Sequence, residues 1–220
     1  GCQDAPTASQ TNQTQTQKPA PTTAQVNAAV EDYTHTFISH QSALAASLKL
    51  PTEQYGHYSA TLPDYSVAGM QRLQKDMHRA ANSLAALQHD ALSDKDSLHL
   101  KINEVIANYY AGDEKFAAGY IDTWGGHLPY IVNQLSGPLI DLPNLLKEQH
   151  EVNNGQDAKD YLARLESFSD VVKQVQEKVK ADAQLGVVLP KALFPNTLGY
   201  LENFTAAAAS DHPLVCSFVQ

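Results

Sequence analysis

The chain has little of what marks the common chemical classes. Its 220 residues hold two cysteines, Cys2 and Cys216, at opposite ends. A small disulfide-stapled scaffold is excluded, and no bridge between the two is expected. Basic residues are scarce: 15 Lys and Arg stand against 24 Asp and Glu, a formal net charge of −9, and they form no cluster. Phosphate recognition needs a concentrated basic footprint, so nucleic acid is not an expected partner. No apolar run approaches the roughly 18 residues that a membrane-spanning helix requires.

The patterns of self-contained catalytic sites are missing as well. Among nine histidines no two are four apart, the spacing at which a helix offers both imidazoles to one metal ion. His150-Glu151 starts a His-Glu-x-x-His pattern, but Asn154 stands where the second histidine belongs. Asn153-Asn154-Gly155 is turn chemistry, so the pair reads as a solvated helix end. Glu-x-x-His, needed twice for a two-metal bundle site, is absent, and Asp32 with His35 is the nearest substitute. There is no Gly-x-Ser-x-Gly turn, no phosphate-cradling glycine loop and no dinucleotide fingerprint. Ser136-Gly137 runs into Pro138 and reads as a helix start with proline first. Cys216 has only His212, across Pro213, as a cationic neighbour, which gives no reason for an activated thiolate. No catalytic residue, metal ligand or cofactor is assigned within this chain.

What is present is helical periodicity, in a chain 43% hydrophobic and long enough to bury a sizeable core. Val26, Val30, Tyr33, Phe37, Leu44 and Leu48 share one face of a helix that Pro51 ends. Residues 52–64 read as a loop. Ser66 caps a second helix with Val67, Met70, Leu73, Met77, Ala81, Leu84 and Leu87 inward. Ser93 and Asp96 open a third, whose expected core face is Leu98, Ile102, Val105, Ile106 and Tyr109. Asn154-Gly155 is a turn and Asp157 the expected cap of the longest helix. Its stripe runs Tyr161, Leu162, Leu165, Phe168, Val172, Val175 and Val179, with Lys159, Asp160, Glu166, Lys173, Glu177 and Lys178 mostly off it, until Gly186. Pro190 starts a last helix through Leu193, Leu198, Leu201 and Phe204. Nothing reads as a strand. The expected fold is all-α, long antiparallel helices with an irregular Pro/Gly-rich connection at about 124–137.

That connection opens the stretch from Trp124 to Leu146, which holds the only Trp and three of the prolines. Irregular backbone of this kind belongs where a chain turns back and faces a cleft. Trp124, Asn133, Gln134 and Ser136 are the candidate cleft-wall residues, the polar three offering hydrogen bonds to an extended peptide. The competing reading is that these three satisfy backbone groups in a buried turn.

Residues 1–25 contain almost only Gln, Thr, Ala, Pro and Ser, with Asp4 and Lys18 the charged exceptions. Such a segment buries too little to offset its ordering entropy and is expected to be a flexible linker, followed by one helical domain over 26–220. Gly1-Cys2 at its head resembles the start of a mature bacterial lipoprotein, with lipid attachment at Cys2. Gln3, rather than Asp, by the same resemblance favours the outer membrane. The alternative is that Gly1 is a leftover residue and Cys2 a chance cysteine. The expectation is a periplasmic protein that meets the membrane only through Cys2, its export signal removed.

Asn133-Gln134-Leu135-Ser136-Gly137-Pro138, Leu142-Pro143-Asn144-Leu145-Leu146, Asp160-Tyr161-Leu162-Ala163-Arg164-Leu165, Gly186-Val187-Val188-Leu189-Pro190 and His212-Pro213-Leu214 occur in an order that resembles the domain-of-unknown-function 885 family. The resemblance covers roughly residues 30–220. It implies an N-terminal helical portion of longer bacterial proteins, often lipid-anchored and similar to zinc metallopeptidases. Their His-Glu and Pro-Gly-His-His motif is absent here. Zinc is then expected only in a longer member, and the partners are the missing C-terminal region or a peptide substrate. The alternative is a stand-alone helical lipoprotein acting as a binding or structural module.

Overall fold

The computed structural model describes residues 18–113, 117–123, 125–207 and 209–215; Cys2, Trp124 and Cys216 lie outside the described residues. Helix α1 (Thr23–Ser39) starts on a capping box between Thr22 and Gln25. It does not run on to Pro51 as its apolar spacing suggests. His40 turns its Nε2 to Asp76 at 2.8 Å and Ser42 donates to the Thr61 carbonyl, so the backbone breaks and restarts as α2 (Ser42–Ser47). The expected loop after Pro51 contains a single turn of helix, α3 (Thr52–Tyr55), and a tight turn at Tyr58–Ala60. Ser66 and Ser93 cap α4 (Val67–Ala85) and α5 (Asp94–Ala111) by accepting from Gly69 and Asp96 N–H.

The irregular connection follows α5. Contrary to the expectation of no strand, β1 (Tyr120–Asp122) pairs antiparallel with β2 (Gly126–Leu128), Ile121 opposite His127. This short hairpin lets an otherwise non-periodic segment satisfy its backbone. Pro138 stands at the start of α6 (Pro138–Asn144), which widens into a wider helical turn over Leu145–Gln149. The cap of α7 (Gly155–Gln184) is Asn154, not Asp157: its Oδ1 accepts from both Gln156 and Asp157 N–H, and Asp157 sits in the first turn. A tight turn at Lys191–Leu193 leads into α8 (Phe194–Ala206). Among the described residues the fold is all-α apart from the hairpin.

Three cores result. Val26 and Tyr33 of α1, Met77, Ala81 and Leu84 of α4, and Leu100, Ala107 and Tyr110 of α5 form the first. The second joins Tyr120, Ile131, Leu142 and Leu145 to Val171 and Val175 of α7, and the third joins Leu146, Tyr161 and Leu214. The Leu98, Ile102, Val105, Ile106 and Tyr109 face of α5, expected in the core, points outward instead. The helix is apolar on two sides, and α1 and α4 cover the side that carries Leu100, Ala107 and Tyr110.

The apolar stripe of α7 is likewise incomplete as a guide. Leu162 and Val179 are exposed, whereas Asp160, Arg164, Lys178 and Asp182 are buried beside Val171 and Val175. These positions recur at helical spacing and form one face. Arg164, 1% exposed, donates to the Thr61 and Tyr58 carbonyls at 3.0 Å each and to His150 Nδ1 at 3.2 Å. Because Nδ1 accepts, His150 Nε2 carries the proton it donates to the Asp157 carbonyl at 3.0 Å. His150 is thus a half-buried link against the Tyr161 ring, not a solvated end. Burial first, against the opposing pull of Asp160, brings the guanidinium down to about 10, still charged at physiological pH. Asp160 in turn is held by His57 and Gln156, each at 2.9 Å. Burial works against its charge, but the hydrogen bonds from His57 and Gln156 prevail and lower its pKa below the ordinary 3.8.

Replacing Arg164 by Met removes a buried charge together with its three hydrogen bonds to the loops, and the loss of stability is expected to be about 3 kcal/mol in urea unfolding. Lysine, a single point donor, cannot span those acceptors and should restore less than half of it. Asp160 contributes its stabilisation fully above its unfolded pKa and loses it as pH falls through the lower folded value. Thermal melts of Asp160→Asn are therefore expected to fall less steeply than wild type below pH ~4.

Candidate functional site

A cleft of about 1530 Å³ opens between α4 and the segment that contains the hairpin. Met70, Gln74 and His78 of α4 form one wall; Tyr120, Asp122 and His127 form the other, with Asp141 and Lys178 at its base. Capping sets the α4 wall. Asp64 accepts from Ser66 N–H and pairs with Arg72, and it lies so close over Gly69 that an added Cβ would stand 2.4 Å from its Cγ.

The opposite wall hangs on α7. Lys178 and Asp182 form a buried ion pair one helical turn apart, 3% and 4% exposed. Lys178 also donates to the Ala117 carbonyl, and Asp182 accepts from Gly119 N–H, both at 3.0 Å. The pair has exchanged hydration for bonds to the backbone that leads into β1, which fixes Tyr120 and Asp122 against the cleft. At Gly119, φ is +80° and a Cβ would stand 2.3 Å from the Leu128 carbonyl oxygen, so this crossing admits only glycine.

The cleft lining carries both signs of charge, Arg72, Lys75 and Lys178 beside Asp64, Asp122 and Asp141. Burial, first of all, pushes the Tyr120 phenol up to about 12, Asp122 and Asp141 adding to this and the Ser136 hydrogen bond opposing it. Tyr65 is raised further, again by burial and then by Asp141. Asp141 is itself raised, by lost hydration and by the Asp122 carboxylate, although Gly137 N–H donates to it at 3.2 Å. A phenol that keeps its proton offers a hydrogen-bond donor to whatever enters the cleft. His127 Nε2 is engaged with the Tyr109 carbonyl at 2.9 Å and His40 with Asp76. His78 Nε2 is buried and has no protein partner.

The sequence-derived wall residues are placed differently from one another. Trp124 lies outside the described residues. Asn133 closes its own turn: Oδ1 accepts from Leu135 and Ser136 N–H at 2.8 and 3.0 Å, and Nδ2 donates to the Tyr130 carbonyl at 3.0 Å. Gln134 Oε1 is buried without a protein partner. Ser136 reaches the Tyr120 hydroxyl at 3.5 Å, so the turn supports a cleft residue from behind. The α4 residues went unnoticed in the sequence. Their signal is that Gln74 and His78, polar and not fixed in charge, border the apolar stripe of α4, whereas Arg72, Lys75 and Arg79 lie farther round.

Among the described residues no group of three or more His, Cys, Asp or Glu is placed to hold a metal ion, and no helix is long and apolar enough to cross a membrane. Among curated proteins none matches the chain significantly. A solved structure does: the crystal structure of a candidate lipoprotein from Colwellia psychrerythraea is 27% identical with a TM-score of 0.83. The match covers 88% of this chain and 33% of that one, so this chain spans about a third of that protein's length. The family model for DUF885, described as a bacterial protein of unknown function, matches residues 50–220, which include α4, the hairpin and α7. The helices that build both walls of the cleft are thus the matched ones, and the chain belongs to the DUF885 family.

Proposed function

We propose that this chain is the N-terminal helical scaffold of a longer, exported, lipid-anchored protein of the zinc-dependent peptidase type, and is inactive by itself. The observation that carries the reading is the close match in fold to a candidate lipoprotein of which this chain spans only a third. The residues described here do not fit a zinc ion, since no sufficient set of ligand side chains converges, and we assign the metal and its general base to further chain. The part of this region is to hold one wall of a substrate cleft. Tyr65 and Tyr120 supply neutral hydrogen-bonding groups there beside the Asp141 carboxyl, and the Asn133–Ser136 turn backs that wall through Tyr120. Cys2 carries lipid and tethers the protein to the periplasmic face of the outer membrane through a polar linker.

Two measurements test this. Elemental analysis is expected to find about one zinc per molecule in the native gene product and far less in the 220-residue chain. Stoichiometric zinc in the short chain, or none in the native product, contradicts the reading. Palmitate labelling is expected to mark the native product and to vanish in Cys2→Ser, which then leaves the membrane fraction; an unlabelled native protein overturns the anchor.

A further inference from the structure

The outward face of α5 has no counterpart in the cores. Leu98, Ile102, Val105, Ile106 and Tyr109 are 59%, 49%, 55%, 39% and 42% exposed. They lie opposite the side that carries Leu100, Ala107 and Tyr110, which is packed against α1 and α4. A helix apolar on both sides is a buried helix in the assembled molecule, because one side alone suffices at a surface. Five exposed apolar side chains grouped on one helix face are a candidate interaction site rather than the singly scattered apolar residues of an ordinary surface. Polar residues flank it: Ser97, Lys101 and Asn108 on one edge and His99 on the other.

The spacing identifies what fits there. Leu98, Ile102, Val105 and Tyr109 follow one another at four, three and four residues, the seam spacing by which one helix receives another through interdigitated side chains. The chain's own ends do not supply this helix. The segment before Val26 has no apolar side chain larger than proline, and only five residues, Cys216 to Gln220, follow the described region. The solved relative, in contrast, has two thirds of its chain outside the matched part.

We infer that the Leu98–Tyr109 face of α5 is the docking seam for an amphipathic helix contributed by further chain of the same polypeptide. This rests on the reading of the chain as part of a longer protein. The seam lies on the opposite side of the α1–α4–α5 bundle from α1 and α4, so the added helix completes the bundle from outside. Tyr109, whose ring meets the edge of His127 at a centroid distance of 4.6 Å, joins the seam to the hairpin wall of the cleft.

Maleimide labelling tests the seam. Ile102→Cys and Val105→Cys are compared with Ser83→Cys on the exposed side of α4, all in a Cys2→Ser, Cys216→Ser background. In the 220-residue chain all three are expected to label alike; in the native-length product the two seam positions should label on the order of tenfold or more slowly. If the native product is longer by intact mass and the seam still labels at the control rate, the seam is refuted and the longer-chain reading stands. An intact mass equal to this chain plus lipid refutes that reading and this occupant together. Protection of the short chain that grows with its concentration identifies a second copy instead and overturns the inference. Ile102→Glu is expected to lower the melting temperature of the longer product and not that of the short chain; equal lowering would show a purely internal role and contradict the seam.

Discussion

Two buried cations on one helix anchor the two loop segments that flank the cleft and its hairpin. Arg164 and Lys178 of α7 lie on the same face, four turns apart, and both donate to backbone carbonyls of loops rather than simply pairing with surface carboxylates. A buried charge is tolerated only when its bonding capacity is filled, and loop carbonyls are the groups most in need of donors. Arg164 therefore fixes Tyr58 to Thr61 and His150, while Lys178 with Asp182 fixes Ala117 to Gly119. The loops' polar anchors thus lie on α7, and Tyr120 and Ile131 add apolar contacts in the second core.

The cleft inherits its shape from this arrangement. One wall belongs to α4 in the first core, the other to the hairpin attached to α7. Tyr65, Tyr120 and Asp141 stand together at this cleft, and burial raises the pKa of all three. Among the described residues no group of three or more His, Cys, Asp or Glu is placed to hold a metal ion.

Much of the helical frame was legible in the sequence because its signals are local. Ser66, Ser93, Pro138 and Gly186 mark ends through their own geometry, and the structure places them there. The misreadings have a common physical origin. Apolar periodicity tells which side of a helix avoids water but not which neighbour covers it, so the outward face of α5 was taken for its inward one. Charge suggests exposure, yet Asp160 and Lys178 are buried because His57 and the Ala117 carbonyl, far away in the chain, supply their partners. The break after Ser39 likewise depends on Asp76 and Thr61, 36 and 19 residues away from the groups they hold. The hairpin has three-residue strands, too short for alternation to show.

The central claim is that buried charges on α7, not contacts within the loops, hold the hairpin wall in place. Hydrogen–deuterium exchange of Lys178→Met tests it most directly. Exchange at 117–122 is expected to accelerate strongly while the α1, α4 and α5 amides keep their protection, because only the hairpin wall depends on that side chain. Unchanged exchange at 117–122, or a loss of protection spread evenly through the first core, would contradict the account.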